Sequence, residues 1–387
     1  MLKRGTVAVV VLSLAVVAAV AVALARGQSP AQPPNSTAKP ANSTAKTAIT
    51  LDSVRGVTVG EPVRLVGALT HAGSEDNNTT IALQQQMTNG RWSNVATQPR
   101  RDDGSYAFLR IFDNPTKQVY RTVASRNGKT LDVSATQRVT VSSPPKPSGT
   151  KLVADLGAKK LTECAASEQP CFKIVSSEGR RLLKFPMVTV NIGKGPLEIH
   201  GHRSSSTSTD WIAWLTTYYS SGDTQSHSVP KVDFYFAGDG HDHWHIRDFD
   251  SYQVLDKSGA SLAVSEKHGF CFEDNTTFRD WSQKPKEYPR VPRNPVYKHE
   301  SSCGEEADDA TSIVHGLSVG WADTYPTSLP DQAIDITDLP DGDYVARVTV
   351  DGKGLIKESN EDNNTASVGI TLKGNRVTVD LRTATGL

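Results

Sequence analysis

The sequence contains few cysteines and shows no long helical pattern. Each of these absences excludes some classes of protein. Only four cysteines occur in 387 residues, and no two form a Cys-x-x-Cys pair, which argues against a dithiol redox motif or a cysteine-rich zinc site. Basic and acidic residues balance at 42 each, so the overall charge does not indicate a nucleic-acid partner. No repeat of solenoid period is visible. With 29 glycines and 21 prolines, the composition predicts a mostly β, loop-rich protein.

One long uncharged run lies near the N terminus. Lys3 and Arg4 precede residues 6–25, which carry no charge. This pattern is typical of a secretory signal, and the run is also long enough to span a bilayer. Residues 1–25 are therefore predicted to be a signal peptide or a signal anchor, with membrane anchoring through residues 6–25 as the second alternative. In both cases we predict that the folded part is secreted or lies on the extracellular face of the membrane.

The four cysteines suit such an oxidising compartment. Three pairings are possible. Cys164 with Cys171 and Cys271 with Cys303 are favoured, because both pairs close local loops.

Composition predicts two β domains joined by linkers. Residues 26–47 are rich in Pro, Ser, Thr and Ala and are predicted to be a disordered linker. Residues 48–141 contain short alternating strands separated by Asn-Gly and Asp-Gly turns, as in an antiparallel sandwich. This part resembles the immunoglobulin-like or fibronectin-like accessory modules of bacterial secreted proteins, and we predict a spacer or weak adhesion module. A Pro-rich linker at 142–150 precedes a second β domain at 151–387.

Individual strands can also be placed. The N-terminal domain is predicted to have strands at 63–69, 81–87, 105–112, 118–125 and 136–141. In the second domain we predict two strands around Asn191, a hairpin that turns at Lys257–Gly259, and strands at 344–352 and 366–374.

Three histidines at alternate positions are the main sign of chemistry. His241, His243 and His245 lie within GDGHDHWHIRDFD, and an extended backbone would direct all three to one face. Imidazole is a preferred ligand of copper, zinc and iron ions. In a straight strand the outer two would lie about 13 Å apart, so the prediction includes a bend, for which Gly238 and Gly240 give freedom. A solvated His/Asp loop is the ordinary alternative.

Five motifs in order carry a family resemblance. GDGHDHWHIRDF, KHGFCFED, GLSVGWADTY, IDITDLPDGDYVARVTVD and KESNEDNN are similar to segments of the catalytic domain of lysyl oxidases. The resemblance extends over residues 152–374. It implies a loop-rich β-sandwich catalytic domain of the lysyl oxidase type.

The resemblance also implies a reaction and its cofactors. Lysyl oxidases use Cu(II), here matched to His241, His243 and His245, and a lysyl tyrosylquinone, here matched to Lys267 and Tyr325. The expected activity is oxidative deamination of a primary amine, either peptidyl lysine or a small alkyl amine, by O2. The products would be an aldehyde, hydrogen peroxide and ammonia.

Asp323 is the residue that we favour as the catalytic base, because it lies two positions from Tyr325. Asp248 and His268 are its rivals.

An acidic and amide-rich loop matches a calcium loop of the same family. Calcium prefers six to eight oxygen ligands. The matching positions are Asp155, Leu156 (by its carbonyl), Glu358, Asn360, Asn363 and Asn364. A plain Asn/Asp turn is the ordinary alternative.

The chain departs from the animal pattern in several places. Trp321 stands at a cysteine position, Ser251 replaces a histidine, and a Pro-rich insert occupies 283–303. Two other functions remain open. One is a cupin-like metal enzyme, for which His315 is a poor second-motif ligand. The other is a non-catalytic exported cell-surface protein that binds copper or zinc, although no fourth zinc ligand is obvious.

Overall fold

The computed structural model describes residues 47–70, 78–237, 242–265, 267–278, 292–298, 302–329 and 331–387. Several predicted features lie outside these ranges, namely the segment 1–25, nearly all of the linker 26–47, His241, and much of the insert 283–303. Within the described ranges, no helix has the length and apolar character needed to cross a membrane.

The described part of the chain is almost entirely β structure, as predicted. Its helical residues form short 3-10 turns at Ala166–Glu168 and Leu381–Thr383. The N-terminal strands are β1 Ala48–Ile49, β2 Val57–Thr58, β3 Val63–Thr70, β4 Thr79–Gln86, β5 Trp92–Pro99, β6 Ser105–Arg110, β7 Thr116–Arg126, β8 Lys129–Val133 and β9 Gln137–Ser142.

The N-terminal strands form a sandwich of two sheets. One sheet has the order β1-β3-β6, and the other has the order β2-β9-β7-β4-β5 with β8 paired to β7. A hydrophobic cluster takes side chains from both sheets, including Leu65 and Phe108 from the first and Ile81 and Tyr120 from the second. Successive side chains of each strand point alternately into this core and into solvent. This alternation produces the apolar and polar pattern from which the strands were predicted.

All five predicted N-terminal strands are present, and the structure adds the two-residue strands β1 and β2 and the longer strands β5 and β8. β5 and β8 are half exposed, and each pairs with one neighbour only among the described strands. Their sequences therefore lack the strong apolar alternation by which the other strands are recognised.

The remaining strands build the second part of the molecule. They are β10 Lys151–Leu152, β11 Leu156–Ala158, β12 Lys173–Ser177, β13 Arg180–Lys184, β14 Met187–Asn191, β15 Leu197–Arg203, β16 Trp211–Tyr219, β17 Thr224–Ser228, β18 Phe234–Ala237, β19 His243–Arg247, β20 Ser251–Leu255, β21 Ser261–Val264, β22 Gly269–Phe270, β23 Thr276–Thr277, β24 Ser312–Leu317, β25 Trp321–Tyr325, β26 Ile334–Asp335, β27 Gly342–Thr349, β28 Thr365–Lys373 and β29 Arg376–Asp380.

These strands form five small sheets around a second hydrophobic cluster, which runs from Ala154 to Leu372. Two of the sheets matter for chemistry. The order β18-β19-β22 carries the histidine strand, and the order β11-β14-β25-β23 carries Tyr325 at the end of β25. The hairpin predicted at Lys257–Gly259 is present as β20 and β21.

Candidate functional site

The histidine strand β19 places two imidazoles on one face. His243 and His245 pair across the sheet with Ala237 and Tyr235 of β18, and Trp244 and Ile246 between and after them belong to the hydrophobic cluster. Alternation along the strand thus separates a core-packing face from a ligand face. Trp244 is also fixed by its indole N–H, which donates to the carbonyl of Ala307 at 2.8 Å.

The two imidazoles converge as metal ligands would. Their Nε2 atoms lie 2.8 Å apart, and the rings are nearly perpendicular at 89°. Two nitrogens that bind one ion at about 2.0–2.1 Å and at a right angle lie about 2.9 Å apart. His243 and His245 are 7 % and 3 % exposed and both line a cavity of about 330 Å³. These residues therefore fit a copper ion.

The sequence predicts a bend in the histidine segment, and the backbone of Asp242 departs from an extended conformation. This residue has a positive φ of 23° and precedes β19 directly. His241 lies outside the described residues, so its role as the third ligand stays a prediction.

Gly269 allows the histidine strand to pack closely against β22. A Cβ atom at this position would collide with the hydroxyl of Tyr235 and with Nδ1 of His245. Sequence reasoning did not single out this glycine, although it stands in the KHGFCFED motif. A glycine there is needed for the close approach rather than for an unusual backbone angle.

Lys267 and Tyr325 lie together at the same cavity. Each side chain is 6 % exposed, and the Lys267 Nζ lies 5.1 Å from the centre of the Tyr325 ring. Tyr325 donates its hydroxyl hydrogen to the carbonyl of Cys271 at 2.9 Å. Cys271 is bonded to Cys303, and Cys164 to Cys171, so both favoured disulfide pairings are confirmed.

Asp323 lies beside Tyr325 and is 1 % exposed. Its Oδ1 accepts a hydrogen bond from the Asn275 side chain at 2.7 Å, and its Oδ2 has no hydrogen-bond partner among the described residues. Burial raises the pKa of Asp323 well above its usual range, although the neighbouring Tyr325 hydroxyl and the charge of Lys267 oppose this effect. Burial, with the charges of Asp323 and Asp250, also raises the pKa of Tyr325. Tyr325 is therefore a neutral phenol at neutral pH.

The rival bases lie away from the cavity lining. His268 and Lys353 both contact the carboxylate of Asp248 at 2.8 Å, on a partly exposed surface. Asp248 lines a second, smaller cavity of about 210 Å³, which Lys267 also lines. Of the three predicted bases, Asp323 is the one that the structure brings to Tyr325.

The cavity lining includes acidic residues that sequence reasoning missed. Besides Asp323, it contains Asp242, Glu273, Glu305 and Glu306. The signal for two of them is the run GEEADD directly after Cys303. A run of like charges usually marks a solvated surface, so the sequence alone did not indicate that this one faces the site.

The predicted calcium ligands are brought together from distant parts of the chain. The Asp155 carboxylate accepts hydrogen bonds from the Asn363 amide at 2.7 Å and from the Ser359 hydroxyl at 3.0 Å. The Glu358 carboxylate accepts hydrogen bonds from the backbone N–H of Leu156 and from the Asn364 amide.

Three observations bear on whether a cation fits this loop. Burial raises the pKa of Glu358 to about 8, and the nearby charges of Glu361 and Asp351 add to that rise. The side-chain oxygens of Asn363 and Asn364 are buried and have no hydrogen-bond partner among the described residues. Oxygen donors and unbalanced negative charge suit a hard cation. Asn360 differs, because its side-chain oxygen accepts a hydrogen bond from the Asp362 N–H, as in an Asx turn.

A further group of ligand-type side chains consists of Cys271, Cys303 and His315. The two sulfurs are joined as a disulfide, so neither is the thiolate that binds metal ions. This group is therefore not a metal site in its oxidised state.

Comparison with known proteins gives consistent matches. A sequence model of the family described as lysyl oxidase matches residues 297–381, which include Asp323, Tyr325 and the loop 358–364. Over 139 residues the chain is 32 % identical to human (Homo sapiens) lysyl oxidase homolog 1, covering 35 % of this chain and 20 % of that protein. It is also 32 % identical over 136 residues to protein-lysine 6-oxidase of Gallus gallus, covering 35 % and 27 % of the two chains.

The chain is thus similar to proteins of the lysyl oxidase family over about a third of its length. It spans less than half the length of the curated relatives cited above. The family match begins after His243, His245 and Lys267, so their placement at one cavity is an observation separate from that match.

Proposed function

We propose that this protein is a member of the lysyl oxidase family and acts as an exported copper amine oxidase. In the proposed reaction a primary amine, O2 and water give an aldehyde, ammonia and hydrogen peroxide. The observation that carries the proposal is the position of Lys267, whose Nζ is 5.1 Å from the Tyr325 ring in a cavity that also contains the paired histidines.

His243 and His245, with His241, would hold Cu(II), and Lys267 with Tyr325 would form the lysyl tyrosylquinone. When present, these groups supply oxygen-dependent oxidation of the tyrosine ring and then a carbonyl that accepts the substrate amine. The flexible four-carbon stem of Lys267 lets its amine approach the ring without a backbone shift.

Asp323 is the proposed proton acceptor. Its Oδ2 has no partner among the described residues, and the Asn275 amide holds the other oxygen. In its ionised form, which the charge of Lys267 favours, Asp323 would receive the proton from the carbon next to the substrate nitrogen. Burial of the site keeps bulk water from the reacting atoms.

We further propose that the loop with Asp155, the Leu156 carbonyl, Glu358, Asn360, Asn363 and Asn364 binds calcium. The two disulfides fit an oxidising compartment, which supports export.

The test is reconstitution of purified protein with copper in air. We expect quinone staining and peroxide release from butylamine, and the loss of both in Lys267→Met and Tyr325→Phe. The matched control is Lys353→Met, which removes a more exposed lysine that pairs with Asp248. Equal staining in wild type and Tyr325→Phe would contradict the proposal.

A further inference from the structure

Cys271, Cys303 and His315 form a buried group next to the histidine strand, which we name the sulfur–imidazole cluster. Their ligand atoms, two sulfurs and an imidazole nitrogen, all lie within 4.8 Å of one another. Cys271 is 5 % exposed, and Cys303 and His315 are 0 % exposed. The sequence does not indicate this cluster, because 32 positions separate the cysteines and a further 12 separate Cys303 from His315. The fold alone brings these ligand types together.

Backbone and ring contacts fix the cluster relative to three strands. The Cys303 carbonyl accepts a hydrogen bond from the N–H of Trp244 in β19 at 2.7 Å. The Cys303 N–H donates to the carbonyl of Val314, which precedes His315 in β24, at 2.9 Å. The His315 ring packs on Phe234 of β18, with the ring centres 5.4 Å apart. The cluster is therefore held by non-covalent contacts as well as by its disulfide, so it can persist when that bond is absent.

The imidazole of His315 faces the sulfurs. Its Nδ1 lies 3.4 Å from the Sγ of Cys303, and its Nε2 is buried without a hydrogen-bond partner among the described residues. Buried polar atoms normally make hydrogen bonds, so the oxidised protein leaves this imidazole poorly satisfied. A sulfur and a nitrogen that bind one zinc ion at about 2.3 Å and 2.0–2.1 Å lie about 3.6 Å apart at a tetrahedral angle. The separation of Nδ1 and Sγ is close to this value.

We propose that the sulfur–imidazole cluster binds one zinc ion in the reduced protein, before its disulfide forms. The chain is synthesised with free thiols, and disulfides form in an oxidising compartment. Zinc binding releases two thiol protons and forms two Zn–S bonds and one Zn–N bond. The two thiolates balance the charge of the ion, which a buried site requires. Two cysteines and one histidine are a ligand set that zinc accepts, with an oxygen ligand in the fourth position.

Zinc and the disulfide exclude each other, because both use the sulfurs of Cys271 and Cys303. Zinc should therefore slow formation of this disulfide. In the test, the full chain is purified in reduced form without oxygen and is then mixed with oxidised glutathione, which takes two electrons from the thiols and is released as two glutathione thiols. With free zinc about tenfold above Kd, the rate should fall about tenfold, because only the metal-free thiolate attacks. Mass spectrometry of quenched samples measures the rate, and equal rates with and without zinc would overturn the proposal.

The same samples contain a matched control. Cys164 and Cys171 form the other disulfide, and among the described residues no histidine or carboxylate completes a group of metal ligands with them. Their oxidation should proceed at nearly the same rate with and without zinc. Equal slowing of both disulfides would show that zinc acts on thiols in general, and it would overturn the assignment to the cluster.

A variant tests the imidazole ligand. His315→Gln keeps both thiols but removes the imidazole, so it should lose most of the protection that zinc gives to Cys271 and Cys303. Its oxidised form should keep the circular dichroism spectrum of the wild-type protein, which shows that the fold is intact. Full protection by zinc in this variant would contradict the role of His315.

Cobalt(II) provides a readout on the unaltered protein. It occupies zinc sites, and thiolate ligands give it a strong sulfur-to-metal absorption that histidine ligands alone do not produce. Reduced wild-type protein should show this absorption with one cobalt ion per chain, and oxidised protein should lack it. Its absence from the reduced protein would overturn the proposal. Neither measurement uses copper or an amine, so the result is independent of the proposed oxidase.

Discussion

Glu198 is the centre of a hydrogen-bonded group that lies outside the cavity lined by Lys267 and Tyr325. Its carboxylate accepts from the hydroxyls of Tyr218 and Tyr297, both at 2.7 Å, and contacts Nε2 of His200 at 2.8 Å. Burial alone would raise the pKa of Glu198, but these hydrogen bonds outweigh it and lower the pKa to about 2. Tyr297 belongs to the described end of the Pro-rich insert, so Glu198 anchors that segment to β15 and β16.

Replacement of Glu198 should alter stability in acid. Because the folded-state pKa is depressed from 4.5 to about 2, the stabilisation is complete above pH 4.5 and disappears as the pH falls towards 2. With allowance for partial solvent exposure, we expect Glu198→Gln to remove about 2–3 kcal/mol of the free energy of unfolding at neutral pH. Urea unfolding followed from pH 7 to pH 2 measures this difference.

The control for this prediction is Glu61→Gln, which changes an exposed glutamate in the N-terminal sandwich. The two variants should differ most at neutral pH and converge near pH 2. A constant difference across that range would show that the Glu198 carboxylate does not titrate as described.

At the scale of single residues, the order of the motifs decided which site residues the sequence could predict. Lys267 and Tyr325 were predicted because they follow the histidine segment in family order, and Asp323 because it lies two positions from Tyr325. The structure brings all three to one cavity. Glu305 and Glu306 could not be predicted, because their position depends on the disulfide and on the turn attached to Asp242. Trp321, at a position where relatives have cysteine, donates its indole hydrogen to the carbonyl of Pro292, which no local pattern indicates.

At the scale of elements, alternation along the chain predicted five of the nine described N-terminal strands and several strands of the second part. The two strands expected around Asn191 are β14 and β15, but the start of that segment belongs to β13. Pro186 separates β13 from β14, since proline has no N–H to continue a sheet. How the strands combine into sheets could not be predicted, because β25, which carries Tyr325, pairs with β14, a strand far earlier in the sequence.

The disulfide between Cys271 and Cys303 should matter for the site as well as for stability. It closes a separation of 32 residues, and a loop of that length corresponds to about 3–4 kcal/mol of stabilisation. We expect Cys271→Ser with Cys303→Ser to lower the free energy of unfolding by about that amount. The quinone yield should fall too, because the turn that borders the histidine strand loses a covalent attachment.

Removal of the other disulfide is the matched control. Cys164→Ser with Cys171→Ser opens a separation of only 7 residues, away from the cavity lining. It should cost about 1 kcal/mol less than loss of the longer loop and leave quinone staining intact. Equal staining in both double variants would contradict a role for the Cys271–Cys303 link at the site.

At the scale of the whole molecule, the described chain has two hydrophobic clusters, one in each β part. The C-terminal end of the linker predicted at 142–150 is fixed to the second β part, because Ser148 donates two hydrogen bonds to the Asp223 carboxylate. Arg101 of the sandwich also donates to the carbonyl of Ser204, next to Arg203. These contacts could not be predicted, because they join residues about 75 to 100 positions apart. The domain boundaries themselves stay predictions.

Calcium should stabilise the second part of the molecule as a whole, since its loop joins Asp155 to residues more than 200 positions later. At a calcium concentration about a hundredfold above Kd, the expected gain is about 2.7 kcal/mol. That corresponds to a rise in Tm of roughly 5–10 °C for a domain of this size. Thermal unfolding with calcium or with chelator measures the shift.

Glu358→Gln should abolish most of the rise in Tm that calcium causes. Asp362→Asn, an exposed change in the same loop, should retain that rise. If calcium leaves the Tm of wild-type protein unchanged, the loop is a plain turn.

The covalent state of Lys267 and Tyr325 is the most direct test of the proposed oxidase. Protein that has been reconstituted with copper in air is digested and examined by mass spectrometry. We predict a peptide in which the Lys267 side chain is bonded to an oxidised Tyr325 ring, and its absence when copper or O2 is withheld. Recovery of both residues as separate, unmodified peptides after full copper loading and aeration would contradict the account.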